Sequence, residues 1–161
     1  MYLSCGGYWP NKRMIELARS FEQAKLDNAV LVTTGYDNSF GLMPHASENV
    51  IPLMVEDPQD VKDAIADADC YVMNSDDEGF GLVILEAMYN KTPWIARNIA
   101  GAALLADYGT VYETEEELVG KLVEFHNSDR DQEKVDRAYR CVIKNHLIEN
   151  TVDDILNIIN T

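Results

Sequence analysis

Short apolar runs alternate with amphipathic segments along this chain, and no other feature constrains its fold as much. The runs at Tyr2–Cys5, 29–33, 49–54, 69–74, 93–96 and Thr110–Tyr112 are rich in β-branched, aromatic and leucine residues, and each is short enough to be a strand. Met14, Leu17, Phe21 and Ala24 recur at helical spacing and predict a helix over 11–26 with its apolar face inward. Asp57-Pro58 followed by Asp60 is a helix start, with a side-chain acceptor, a proline where no donor is missed and an acid in the first turn; this helix should run to Ala68. Leu82–Tyr89 reads as a third helix, and Thr114 with Glu117 forms a capping box that opens a fourth. Residues 128–147 read as a long charged helix, and Thr151 with Asp153 and Asp154 caps a final one. Residues 36–48 and 98–105 read as loops.

Strands alternating with helices pair in parallel through right-handed crossovers. The expected product is a doubly wound parallel sheet, a Rossmann-like three-layer α/β/α fold of about six strands. In the usual order 3-2-1-4-5-6 the first strand lies beside the fourth, and ligands bind at the carboxyl ends of that pair. In this sequence that crevice is lined by Gly6 through Arg13 on one side and Asn74 through Glu86 on the other.

The chain has 161 residues, the size of one domain, and the reading is of a single domain over 1–161. A chain of this length buries roughly 70% of the surface that its unfolded form exposes, so its core needs no metal or disulfide. The net charge of −15 argues against nucleic acid and against anionic membrane. No apolar run approaches the roughly 20 residues of a membrane span, and the N-terminal sequence lacks the order of a signal peptide, so the expected location is cytoplasmic. Cys5, Cys70 and Cys141 are widely spaced, which indicates neither a disulfide framework nor a zinc site. The charge is uneven: residues 1–50 hold four basic and five acidic side chains, and the rest hold nine against 23. An anionic ligand would be met by the cations of the first third.

Two stretches carry chemistry. In Cys5-Gly-Gly-Tyr-Trp-Pro-Asn-Lys-Arg13, glycines such as Gly7 let the backbone approach a ligand, and helix-start amides with Lys12 and Arg13 make an anion site. In Ser75-Asp-Asp-Glu-Gly-Phe-Gly-Leu-Val-Ile-Leu-Glu-Ala-Met88, Glu78 and Glu86 flank a glycine turn that opens a helix near Gly81. Side chains tilt toward a helix N-terminus, so Glu86 can reach back to a ligand across the helix start. There a carboxylate accepts from sugar hydroxyls while the Gly81 and Leu82 amides face a phosphate.

The run 69–75, the string Glu78-Gly-Phe-Gly-Leu-Val-Ile-Leu-Glu-Ala-Met88, then Thr92-Pro-Trp-Ile-Ala96 and Gly101 resemble the C-terminal domain of retaining glycosyltransferases of family 4, of the two-domain GT-B type. The family hallmark E-x(7)-E falls on Glu78 and Glu86, and the likeness covers nearly the whole chain. The resemblance implies that a UDP- or GDP-sugar occupies the crevice. Glu86 would hold the ribose, Glu78 the donor sugar, and Gly81 and Leu82, with Phe80 between the two glutamates, the diphosphate. Lys12 matches the family's phosphate-binding lysine and, with Glu78, is the catalytic candidate. Gly35 follows the second strand as the family's glycine does, and residues around Val55 would meet the base through backbone groups. The implied enzyme is a hexosyltransferase of glycan or polysaccharide biosynthesis that needs no cofactor or metal, with cations and helix amides neutralising the leaving diphosphate.

Three departures stand out. The family usually places an arginine directly after the first strand, where this chain has Gly6, so that Arg13 or Arg97 would have to substitute. Residues 98–105 hold one glycine and no acid where the family often has Gly-Gly then Glu. The N-terminal domain that supplies the acceptor site is absent, so the expectation is a domain that binds donor and turns over poorly without that half, whether the half is a separate subunit or part of a longer chain. The competing readings are a catalytically inactive relative that binds sugar nucleotide or protein, and a phospho-acceptor module. The latter needs an acidic pair after the first strand, where Cys5-Gly6-Gly7 stands. Tyr8 and Trp9 read either as stacking on a base or sugar or as covering a partner domain. His126 and His146 are placed far from the crevice, and His45 near its nucleotide end.

Overall fold

The computed structural model describes residues 1–147, so the expected final helix from Thr151 lies outside the described residues. Six strands, β1 (Tyr2–Cys5), β2 (Leu31–Gly35), β3 (Val50–Met54), β4 (Cys70–Met73), β5 (Trp94–Arg97) and β6 (Thr110–Tyr112), pair wholly in parallel in the order β3-β2-β1-β4-β5-β6. Tyr2 sits opposite Leu31 on one side and Cys70 on the other, which fixes the register at the reversal of strand order. This is the expected Rossmann-like α/β fold. The central strands read as unbroken apolar runs because both their faces are covered. Tyr2, Cys70 and Val72 enter one core with Leu17, Phe21, Leu118 and Leu122 of helices α1 (Met14–Ala24) and α5 (Glu115–Asn127). Leu3, Tyr71 and Met73 enter the other, against α2 (Pro58–Asp67), α3 (Leu82–Tyr89) and α6 (Gln132–Asn145) through Ile65, Ile84, Met88 and Val142.

The caps were legible in the sequence. Asp57 accepts from the Gln59 amide at 2.8 Å and Thr114 from the Glu117 amide at 3.2 Å. Three expectations need correction. The charged helix expected over 128–147 is α6 over Gln132–Asn145: Ser128 is extended, and the helix opens at Asp131, whose side chain accepts from the Lys134 amide at 2.9 Å. Residues 98–105 are not all loop: α4 (Ala100–Leu104) is a short helix, followed by a 3-10 turn over Ala106–Tyr108. The first helix starts at Met14 rather than at residue 11, because Arg13 adopts a left-handed conformation (φ 49°) and separates it from a 3-10 turn at Pro10–Lys12. Among the described residues no helix is long and apolar enough to cross a membrane.

Candidate functional site

The crevice lies at the carboxyl ends of β1 and β4. On the β1 side the chain leaves Cys5 through Gly6, whose φ of +144° lies in a region that side-chain-bearing residues rarely adopt. Lys12 therefore stands in the turn before α1, not on its first turn, and its aliphatic stem covers Gly6: a Cβ there would lie 3.3 Å from Lys12 Cε. Tyr8 neither stacks on a ligand nor faces a partner. It is fully buried, with its hydroxyl 2.9 Å from the carbonyls of Thr33 and Leu53, so that it ties β1's exit to β2 and β3. Gly35 lies flat against its ring, where a Cβ would come within 2.6 Å, and Gly7 packs in the same way under the Trp9 ring. Trp9 Nε1 donates to Asp37 at 2.8 Å, and this bond holds the Asp37 carboxyl below the usual carboxylate range.

On the β4 side, residues 74–81 form a loop zipped to that turn. The Asp76 amide donates to the Asn11 carbonyl at 2.8 Å, and Lys12 Nζ forms an ion pair with Glu78 Oε1. The same carboxylate oxygen accepts from Ser75 Oγ at 2.7 Å. The Lys12 and Glu78 side chains are 16% and 19% exposed, so the pair is largely shielded from water. Gly81 (φ 76°) then turns the chain into α3 without a side-chain cap on the first-turn amides, of which that of Ile84 donates to the Gly81 carbonyl at 2.8 Å. Phe80 is fixed from behind, since a Cβ on Gly101 of α4 would fall 1.7 Å from its carbonyl oxygen.

Arg13 and Arg97, the expected substitutes for the missing arginine, converge on acids instead. Both place a guanidinium nitrogen 2.6 Å from Glu115 Oε1, and Arg13 also binds Asp76 at 2.8 Å. These partners, Asp76 foremost, hold the Arg13 guanidinium above its ordinary pKa. Arg97 lies over the Tyr112 ring and donates to Asn74 Oδ1 at 2.9 Å, which also accepts from the Tyr112 hydroxyl at 2.6 Å. Asn74, Arg97, Tyr112 and Glu115 thus brace the Glu78 loop from below. Sequence reasoning did not assign these roles, or that of Ser75. The one signal available was the polar Asn74-Ser75 step closing an apolar strand.

Glu86 is exposed, on the second turn of α3. With Leu82, one turn earlier on α3, it lines a groove of about 570 Å³ between α2, α3 and α6, walled by Gln59, Leu85 and His146. His146, expected far from the crevice, instead lies against its loop: its ring centroid is 5.8 Å from that of Phe80. The two glutamates still share one field. Burial pushes the Cys5 thiol at the end of β1 up to about 11, and both Glu86 and Glu78 add to the rise. Val55 extends the sheet through its amide, which donates to the Gly35 carbonyl at 2.9 Å. Among the described residues no cluster of three or more His, Cys, Asp or Glu side chains could hold a metal ion.

Comparison with known proteins bears on the fold and the family. Among solved structures, Staphylococcus aureus TarM in complex with UDP superposes with a TM-score of 0.81 at 22% identity, over 99% of this chain and 35% of TarM. A glycosyltransferase from Rickettsia africae gives 0.82 at 19% identity, over 98% and 46%. The C-terminal domain of LpcC, a glycosyl transferase group 1 protein from Francisella tularensis, gives 0.75 at 21% identity, over 91% and 86%. The chain therefore spans about a third of TarM's length. Comparison with curated protein sequences finds no significant match. Residues 3–151 match the sequence family described as glycosyl transferases group 1, and the chain belongs to that family.

Proposed function

We propose that this chain is the donor-binding, C-terminal domain of a retaining glycosyltransferase that uses a UDP- or GDP-activated sugar in glycan assembly. The observation that carries this reading is the meeting of Lys12 and Glu78, 66 residues apart in sequence, past the carboxyl ends of β1 and β4 in the segments that lead into α1 and α3. An ammonium and a row of helix amides suit a diphosphate, and an adjacent carboxylate suits sugar hydroxyls. In this reading Lys12 neutralises charge developing on the leaving diphosphate while the Gly81 and Leu82 amides bind its oxygens. Glu78 orients the donor sugar, and Glu86 takes the ribose from its groove. The Val55 carbonyl side meets the base, and Gly7, Gly35 and Phe80 shape the walls. The likeness to the LpcC domain supports the placement in the C-terminal half, and the UDP held by TarM supports the donor class. The acceptor site then comes from a second domain, without which the chain turns over poorly. No metal is assigned.

Titration calorimetry with UDP, GDP and their sugars tests the reading. Binding by one nucleotide series is expected, and Lys12→Ala should weaken it about tenfold or more through loss of a charge-assisted contact. No binding by any of them at millimolar concentration would overturn it. One observation favours a second reading, a donor-binding relative without activity: Gly6 carries no cation, and both Arg13 and Arg97 are engaged by acids. Sugar transfer by the chain joined to an acceptor-side domain separates the two.

A further inference from the structure

We propose that the Lys12–Glu78 ion pair, held by Ser75, makes the site discriminate between intact donor and bare nucleoside diphosphate; this rests on the donor-site reading above. Lys12 and Glu78 are assigned to different parts of the donor, yet in this structure they bind each other, and Ser75, itself 2% exposed, anchors the carboxylate they share. A diphosphate that draws the Lys12 ammonium toward itself, even while one of its three donors stays near the carboxylate, weakens the pair with Glu78. The cost of that exchange depends on what else the ligand carries. A sugar nucleotide offers hydroxyl donors to the released carboxylate, so each lost contact is replaced. A bare nucleoside diphosphate lacks those sugar hydroxyls, its ribose hydroxyls being assigned to Glu86. Glu78 is then left shielded with Ser75 as its remaining partner and with a second anion beside it, and a shielded charge deprived of its counterion is strongly disfavoured.

The exchange thus penalises the product of transfer relative to the donor. After the sugar leaves, re-formation of the Lys12–Glu78 pair competes with the diphosphate for the ammonium and favours its release. Ser75 is the positioning residue of this device. Without its hydroxyl the carboxylate is free to turn away, and the sugar loses its partner while the phosphate site stays intact.

The test compares wild type, Glu78→Gln and Ser75→Ala in calorimetric titrations with UDP and UDP-glucose, and with GDP and GDP-mannose. The unusual expectation is a gain. Glu78→Gln should bind the bare diphosphate about fivefold more tightly than wild type, the value of a partly shielded ion pair, while binding the sugar nucleotide no better or worse. Ser75→Ala should weaken sugar-nucleotide binding and leave the bare diphosphate unchanged or tighter. Residues that merely support the fold would lower both affinities together in either variant, and that outcome overturns the proposal. Wild-type binding with no gain in Glu78→Gln overturns the exchange alone. Absence of binding in all three proteins overturns the donor-site reading with it.

Discussion

At the scale of single residues, Gly6 shows how a departure from a family pattern can be built into the backbone. The position where the resemblance leads one to expect an arginine has φ +144°, and the Lys12 stem lies where a side chain would start. Restoring the arginine should therefore fail. Gly6→Arg is expected to lower stability by about 1–3 kcal/mol through backbone strain and to weaken nucleotide binding by displacing Lys12, although it adds a cation. Urea denaturation and calorimetry on the same variant check both parts, and tighter binding would show that the turn can re-form around a side chain. Tyr8 makes the complementary point. An aromatic next to a glycine turn invites a stacking role, yet its ring fills the space that Gly35 leaves and its one hydroxyl proton is shared between two strand carbonyls. Whether such a ring faces in or out depends on what packs against it, and that neighbour lies 27 residues away in sequence.

At the scale of elements, α4 buttresses the site. Its Gly101 touches the backbone of Phe80, so the loop between the two glutamates rests on a helix that has no side chain at the point of contact. Gly101→Ala should push the Phe80–Gly81 turn outward and weaken nucleotide binding about tenfold or more, the scale set by losing a positioned phosphate donor, while the far-ultraviolet spectrum stays that of wild type. Unchanged affinity would mean that the loop relaxes freely. The strand order was legible in the sequence because strands buried on both faces make continuous apolar runs, and a chain that alternates them with helices has few ways to wind. The helix α4 was not: five residues of Ala, Gly and Leu show no period and no capping residue. Nor was the break at Arg13, since a left-handed arginine has no signature in composition, and its carbonyl is held by Asn74 Nδ2 from across the crevice at 3.1 Å. Motif spacing named Lys12 and Glu78 one at a time. Their mutual pairing, and the Arg13–Glu115–Arg97 brace beside it, are tertiary contacts that only the fold brings together.

At the scale of the whole molecule, the net charge of −15 sets the terms on which an anionic ligand arrives. Positive residues at the crevice do not reverse that field. Lys12 is matched by Glu78, and Arg13 and Arg97 by Glu115 and Asp76, while Asp77, Glu86 and Glu113 lie close by in the chain. A diphosphate therefore approaches against repulsion until it is near enough to exchange partners with Lys12. Mobile ions screen the long-range repulsion first, since the Debye length falls from about 30 Å at 0.01 M to about 10 Å at 0.1 M, whereas contacts within a shielded crevice are screened much less. The association rate of UDP, followed by stopped flow, should accordingly rise by about twofold or more over that tenfold increase in salt, opposite to the fall seen when a site attracts its ligand from a distance. A falling rate would mean that the helix amides of α3 and the Lys12 ammonium project a positive field beyond the crevice mouth. In that case the acids around them act on the bound state alone, through the competition of Glu78 for Lys12.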